Sequence, residues 1–303
     1  MPSASQTRAY VALFVIAALW GSYPATAKLA LRDIPPATLA AIRCTLASIF
    51  LVALLRRAGL ETLRGLTPAT VRDFLILGAF GIWGSTQVSY LAIYYTTASN
   101  AVILQAATPV IVAMGAWLYL GERLRPRQWA GVALSAFGVL LVITDGRLAA
   151  LRPEELKVGD FITLVGLCGW SAYTIYGKRV LTRTSPALAT TGAYVMGTLL
   201  IIPTAIITAP LFPAPRLGSA TAWAVIVYQG LIGAVAHVWW YRAVQVVGPS
   251  RSAVFMNFQP VVGVLLATVL VREGIGPWDV LGGALVLAGV ALTAREQRNL
   301  TTS

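Results

Sequence analysis

The side chains of this chain that can recognise a small polar molecule sit inside long apolar runs. Trp20 and Tyr23 lie in the first run, Gln87 and Tyr90 in the third, and Asn100 and Gln105 in the fourth. Trp170 and Tyr173 lie in the sixth, His237 and Tyr241 in the eighth, and Ser252 and Asn257 in the ninth. Hydrocarbon satisfies none of these polar groups, so they must face a bundle interior or a wet cavity. Together with Arg43 they form the candidate substrate-binding set. Ser85, Ser89, Thr108, Gln229 and Gln259 stand among them on the same runs. Residues three apart share a helix face, so Trp20/Tyr23 and Trp170/Tyr173 each offer a paired aromatic wall. Amides, phenols and indoles can bind a polar molecule by hydrogen bonding and stacking.

The charged residues sharpen this. Arg43 lies two turns inside the second run. It could hold a substrate carboxylate, but snorkelling to the outer water or pairing between helices is the expected role. Lys28, about 27 Å along the first helix at 1.5 Å per residue, is expected as a surface anchor. Glu122 and Glu273 have arginines beside them and are expected in interfacial ion pairs. All eleven carboxylates fall at run ends, in loops or in tails. His237 is therefore the one candidate for a proton relay at depth; its plainer reading is a neutral, hydrogen-bonded core histidine. A mostly uncharged pocket for polar or zwitterionic substrates is expected, and coupling to an ion such as H+ stays open.

Two prolines point to the same depth. Pro109 and Pro260 fall near the middle of their runs, where each removes an amide hydrogen and pushes on the carbonyl four residues back, at Gln105 and Met256. Each helix is expected to kink and partly free a carbonyl, and repeat-equivalent breaks of this kind mark transport sites. A bend serving packing alone is compatible with that.

The elements that must position these groups follow from composition. Of 303 residues, 57% are hydrophobic and only 11% charged, with a mean hydropathy of +0.75. Soluble domains carry about 25% charged residues, so a water-soluble globule, a disordered chain and a disulfide scaffold are excluded. A membrane-spanning helix needs about 20 apolar residues. Ten runs can be marked: 10–31, 37–55, 72–96, 98–120, 126–143, 160–178, 186–209, 221–243, 249–271 and 277–293. An all-α, polytopic membrane fold is expected, with no room for a soluble catalytic domain. Arg8 and Ala25-Thr26-Ala27 imitate a signal peptide, but the repeat described next makes the first helix a retained unit. Cys44 and Cys168 lie within apolar runs and are expected as reduced packing residues.

The chain is duplicated. At an offset of 150, Trp20 meets Trp170, Tyr23 meets Tyr173, Lys28 meets Lys178 and Pro36 meets Pro186. At 151, Tyr90 meets Tyr241, Ser99 meets Ser250, Pro109 meets Pro260, Glu122 meets Glu273, Gly131 meets Gly282 and Gly138 meets Gly289. Two five-helix repeats are expected, 10–143 and 160–293, joined by a linker at 144–159 and flanked by tails 1–9 and 294–303. Five is odd, so the second repeat must be inverted relative to the first, as in many secondary transporters. The net charge of +12 would suggest nucleic acid in a soluble protein. Here fifteen of the 23 Lys and Arg fall on one side of the expected topology and six on the other, which assigns the excess to the positive-inside rule, puts both termini in the cytoplasm and gives no nucleic-acid partner. Trp117, Trp129, Trp223 and Trp278, near run ends, are expected in an interfacial belt.

Leu19-Trp20-Gly21-Ser22, the 36–43 stretch Pro-Ala-Thr-Leu-Ala-Ala-Ile-Arg, and the thirteen-residue spacings Pro109–Glu122 and Pro260–Glu273 resemble the EamA family of the drug/metabolite transporter superfamily. The glycines at 131–138 and 282–289 fit as well, and the likeness covers nearly the whole chain. Arg272 in place of a second Gly121 is a departure, confined to one loop. The resemblance implies ten helices in two inverted halves and export of small metabolites, often amino acids, across the bacterial inner membrane. The partners are then a small-molecule substrate and the lipid bilayer, with the protein a monomer or weak homodimer. Sugar or nucleotide-derivative transport is the alternative, though a phosphorylated substrate should need more cavity cations than Arg43. A channel would favour a ring of lining charges or carbonyls. An enzyme would need a nucleophile, metal cluster or acid/base pair at depth; one histidine and two separated cysteines supply neither that nor a site for a metal or cofactor.

Overall fold

The computed structural model describes residues 4–57, 66–120, 126–147, 157–248, 252 and 255–295. Among these there is no strand. The first half contains α1 (Ala4–Gly21), α2 (Tyr23–Ala30), α3 (Pro36–Arg57), α4 (Pro68–Leu77), α5 (Val88–Tyr95), α6 (Ala98–Gln105), α7 (Thr108–Leu120) and α8 (Pro126–Thr144). The second contains α9 (Val158–Val180), α10 (Pro186–Thr208), α11 (Ala220–Val227), α12 (Gly233–Val247), α13 (Gln259–Leu266) and α14 (Pro277–Arg295). Wide, π-type turns join α4 to α5 at Gly78–Gln87 and α11 to α12 at Tyr228–Ile232, and a third follows α13 at Ala267–Val271.

Helix starts follow local chemistry. Thr67, Thr97, Ser185 and Ser219 each accept a hydrogen bond from an amide three residues on, at 3.1–3.3 Å. These bonds satisfy amides that a helix start leaves open. Pro68 and Pro186 follow their caps directly, where a missing N–H costs nothing.

Seven described helices are long and apolar enough to cross a membrane. An eighth results if Ala98–Gln105 and Thr108–Tyr119, bent by 41° to each other, form one span. Gln259–Val271 and Pro277–Gly289 are apolar but shorter. Large apolar side chains such as Leu118, Ile206, Ile207 and Val269 stand exposed around the outside. Water would not tolerate so much apolar surface; a bilayer does.

The interior is aromatic, with Trp240, Tyr90, Tyr173, Tyr194 and Tyr241 fully buried. Glycines bring the backbones together. A Cβ on Gly138 would stand 2.6 Å from the Gly282 carbonyl, and one on Gly289 would stand 2.4 Å from that of Gly131. The two contacts exchange repeat-related partners, and the positions rise along α8 as they fall along α14. That is the reciprocity of a two-fold axis between antiparallel helices.

Several charged residues sit differently from expectation. Lys28 is a tie rather than an anchor: its ammonium donates to the Ile93 carbonyl at 2.7 Å and to that of Thr96. Those carbonyls close the end of α5, where a cation is favoured. Among the described residues Glu273 has no arginine partner; its carboxylate accepts from the Ala98 and Ser99 amides at 3.0 Å and from the Ser99 hydroxyl at 3.1 Å, capping α6. Glu122 lies outside the described residues. Asp160 and Asp73 lie near helix starts as expected, but both are buried. Asp160 accepts from the Thr96 hydroxyl and from the Asn100 amide at 3.1 Å. At the opposite end, Asp73 accepts from the Tyr176 hydroxyl at 2.6 Å and from Arg183 at 2.7 Å. Cys44 is buried, while Cys168 is exposed on the outer surface rather than packed.

Candidate functional site

The helix breaks converge on one cavity of about 110 Å³. Trp20 and Tyr23 reach it from either side of the α1–α2 joint at Ser22, whose hydroxyl turns back to the Leu19 carbonyl at 2.7 Å. Ser85, Thr86 and Ser89 enter from the wide turn before α5 and from α5 itself. Gln105 and Thr108 enter from the α6–α7 break, Trp170 from α9, and Tyr228, Gln229, Ile232 and Gly233 from the wide turn before α12. His237, Met256 and Gln259 complete the wall with Arg43. Every broken helix leaves polar backbone at depth, and lining a cavity is where such backbone is tolerated.

Breaks precede both prolines. Pro109 is the second residue of α7, after two tight turns in which Ala106 and Ala107 donate to Ile103 and Leu104. The Gln105 carbonyl is not left free, because the Thr108 hydroxyl donates to it at 2.6 Å. Pro260 is the second residue of α13, after a tight turn at Phe255–Phe258.

Arg43 does not snorkel. It is 2% exposed and lines the cavity. Its Nε donates to the Gln229 carbonyl at 3.1 Å and its Nη2 to the Tyr194 hydroxyl at 3.3 Å. Nη1 stands 3.8 Å from Cys44 Sγ, and the guanidinium carbon is 5.8 Å from the Tyr194 ring centre. The cavity therefore carries a cation, where an uncharged pocket was expected. His237 is buried and lines the cavity. Its Nδ1 lies 2.8 Å from the Gly233 carbonyl and 3.1 Å from the Tyr194 hydroxyl, while Nε2 is buried without a partner.

Trp20 is the centre of an aromatic box. Its ring centroid lies 5.0 Å from those of Trp170 and His237 and 5.6 Å from that of Trp240. The first of these contacts joins two repeat-related residues.

Six expected residues thus come together at the cavity: Trp20, Tyr23, Arg43, Gln105, Trp170 and His237. The others stand behind it or away from it. Tyr90 donates to Gln229 Oε1, and Gln229 Nε2 donates to Thr26 at 2.8 Å. Tyr173 and Tyr241 stack on each other at 4.8 Å, backing Trp170. Asn100 is engaged by Asp160, and Ser252 donates to the Gly248 carbonyl at 2.8 Å. Gln87 is buried outside the lining. The Asn257 side chain lies outside the described residues. Sequence reasoning missed Thr86 and Tyr228. It grouped Gln229 and Gln259 with the polar set without choosing them.

Residues 7–144 match the EamA-like transporter family, and residues 157–295 match it again. The chain belongs to this family. It is 26% identical to a Bacillus subtilis (strain 168) protein named an uncharacterized transporter, over 94% of this chain and 92% of that one. It is 28% identical to an Escherichia coli (strain K12) protein named an uncharacterized inner membrane transporter, over 93% and 89%. A Salmonella typhimurium protein named a probable amino-acid metabolite efflux pump is 26% identical over 94% of each chain. A crystal structure 21% identical in sequence superimposes with a TM-score of 0.68, covering 97% of this chain and 99% of the other. That likeness shows the fold. The chain is accordingly a multi-pass membrane transporter.

Proposed function

We propose that this transporter exports amino acids or similar small metabolites across the bacterial inner membrane by alternating access. In this reading, two inverted five-helix repeats, 10–143 and 160–293, give ten spans with both termini in the cytoplasm. The observation that carries it is the cavity itself. It is walled by the repeat-related pair Trp20 and Trp170, which meet at 5.0 Å, and flanked by helix breaks in both halves. A binding site on a pseudo-two-fold axis can face either side by rocking one half against the other.

Cavity size favours small substrates. At roughly 10–15 Å³ for each water-sized group, about 110 Å³ holds about seven to eleven non-hydrogen atoms. That suits an amino acid better than a nucleotide derivative, and among the described lining residues Arg43 is the only cation. The Salmonella relative's name agrees with this class. The E. coli relative's name supports the inner membrane.

The test is reconstitution of the full chain into liposomes loaded with unlabelled amino acid. Saturable, counterflow-stimulated uptake of labelled amino acid is expected. Flux that rises linearly with concentration would indicate a channel, and its absence for every amino acid would overturn the substrate class.

A further inference from the structure

We infer that Arg43 and His237 form one two-point subsite that reads a carboxylate together with a hydrogen-bond donor on the adjacent carbon. The ligand class is thus α-amino or α-hydroxy acids, rather than simple carboxylic acids, amines or sugars. This rests on the reading of the cavity as the transport site.

The argument starts from a charge without a counterion. The Arg43 guanidinium carries five N–H groups. One on each nitrogen is directed to Gln229, Cys44 or Tyr194, all uncharged. No Asp or Glu lines the cavity, and among the described residues no carboxylate is within ion-pair distance of Arg43. A buried cation is costly unless paired. Two guanidinium N–H groups remain for an anion, and a planar fork suits a carboxylate. Gly233 lies against Nη2, where an added Cβ would stand at 2.7 Å.

The second point is His237. The Gly233 carbonyl only accepts, so Nδ1, at 2.8 Å, carries the hydrogen. Burial beside the Arg43 cation disfavours a second charge, and a neutral ring with its hydrogen on Nδ1 presents a lone pair at Nε2, which is buried, without a partner among the described residues, in a residue that lines the cavity. An unmet acceptor at such depth calls for a donor. Tyr194 joins the two points, because its hydroxyl touches both Arg43 Nη2 and His237 Nδ1. Donor fork and acceptor are thereby held in fixed relation, and the faces of Trp20 and Trp170 remain for the ligand's side chain.

Calorimetric titration of the purified full-length protein in detergent tests this. Four probes share one side chain: L-leucine, 2-hydroxy-4-methylpentanoate, 4-methylpentanoate and L-leucinamide. The same sets are built on valine, threonine and phenylalanine. The wild type should bind the amino and hydroxy acids about tenfold or more tighter than the amide, and about fivefold tighter than the acid lacking the α-donor. Arg43→Gln should bring acid and amide within about twofold of each other. His237→Phe should remove only the α-donor preference. Should Arg43→Gln fail to fold, the wild-type ratios and Tyr194→Phe, which should weaken both preferences, decide the matter.

Amides binding as well as acids, an acid preference that survives in Arg43→Gln, or no acid binding in any set would overturn the subsite. The carrier reading fails separately. Saturable flux of an amide sustains it while removing the assignment to Arg43, and normal binding without saturable flux does the reverse.

Discussion

Ser48 and Thr198 stand 150 positions apart in the chain, and their hydroxyl oxygens lie 3.0 Å apart. Each is the other's counterpart at the 150-residue offset of the sequence, as an axis relating two inverted halves, in the reading proposed above, requires of a pair beside it. Trp20 and Trp170 meet by the same offset, and the glycines of α8 and α14 exchange partners across it. The cavity lies beside one such like-to-like contact, Trp20 against Trp170. Its chemistry comes from where symmetry fails: the positions related to Arg43 and Cys44 hold Ala193 and Tyr194, and Arg43 reaches across to Tyr194.

Reciprocal packing predicts matched costs. Gly138→Ala and Gly289→Ala each force a Cβ against backbone, at 2.6 and 2.4 Å. Each should destabilise by about 1–3 kcal/mol. Gly218→Ala, with nothing within 4 Å, should stay within about 0.5 kcal/mol of the parent. Thermal unfolding in detergent checks all three, and unequal effects of the first two would argue against the axis.

Trp20→Ala should raise KM about tenfold while preserving the fold. The ring borders the cavity and packs on Trp170, His237 and Trp240, so its loss enlarges the site more than it disrupts the core. Uptake assays beside size-exclusion profiles separate the two effects; unchanged KM would remove Trp20 from the site.

Tyr90 acts at one remove. Its hydroxyl is directed to Gln229 Oε1, and Gln229 spans to Thr26 and to the Tyr23 carbonyl. Tyr90→Phe leaves that amide oxygen short of a donor, at about 1–3 kcal/mol. Transport should fall several-fold with little loss of protein in the membrane. Gln229→Leu should be no better in the Tyr90→Phe background than alone, as measured in a double-mutant cycle.

Glu273→Ala removes a cap from α6 that holds two amides and a hydroxyl. Stability should drop by about 0.5–2 kcal/mol, and Glu273→Gln should recover part of it. Melting temperatures of the two variants and the parent decide this.

Thr108→Val frees the Gln105 carbonyl beside the 41° break. An unsatisfied carbonyl at this depth should lower transport more than stability, since it opens onto the cavity. Flux measured against melting temperature provides the check, and a fall in stability alone would make the bend a packing feature.

Much of the fold was legible because membranes restrict it so tightly. Long apolar runs, proline at helix starts and recurrent rare residues required only counting. The site was legible in part. Trp20 and Trp170 announced themselves by repetition, and Pro109 and Pro260 marked breaks. For Arg43 the snorkelling alternative fails and the pairing between helices holds: distance along a helix says nothing of the side on which a residue projects, and Tyr194 and the Gln229 carbonyl, from distant helices, decide that. Asp160 was misjudged for the same reason. Its position near a helix start suggested solvent, yet Thr96 and Asn100 enclose it. Wide turns such as 228–232 have no sequence period to announce them, so Tyr228 went unnoticed.

Among the described residues, the Lys28 and Asp160 ties have no repeat-related copy at the other end, which is held instead by Asp73 with Tyr176 and Arg183. Where the repeat would put a second Asp160 stands Tyr10, stacked on Phe255, and the counterpart of Lys28 is an exposed Lys178. Two perfectly twinned halves would idle with no preferred opening. Unlike fastenings tilt that balance: on the proposed rocking of the halves, the two ends would open at different cost, so the empty protein would favour one opening over the other.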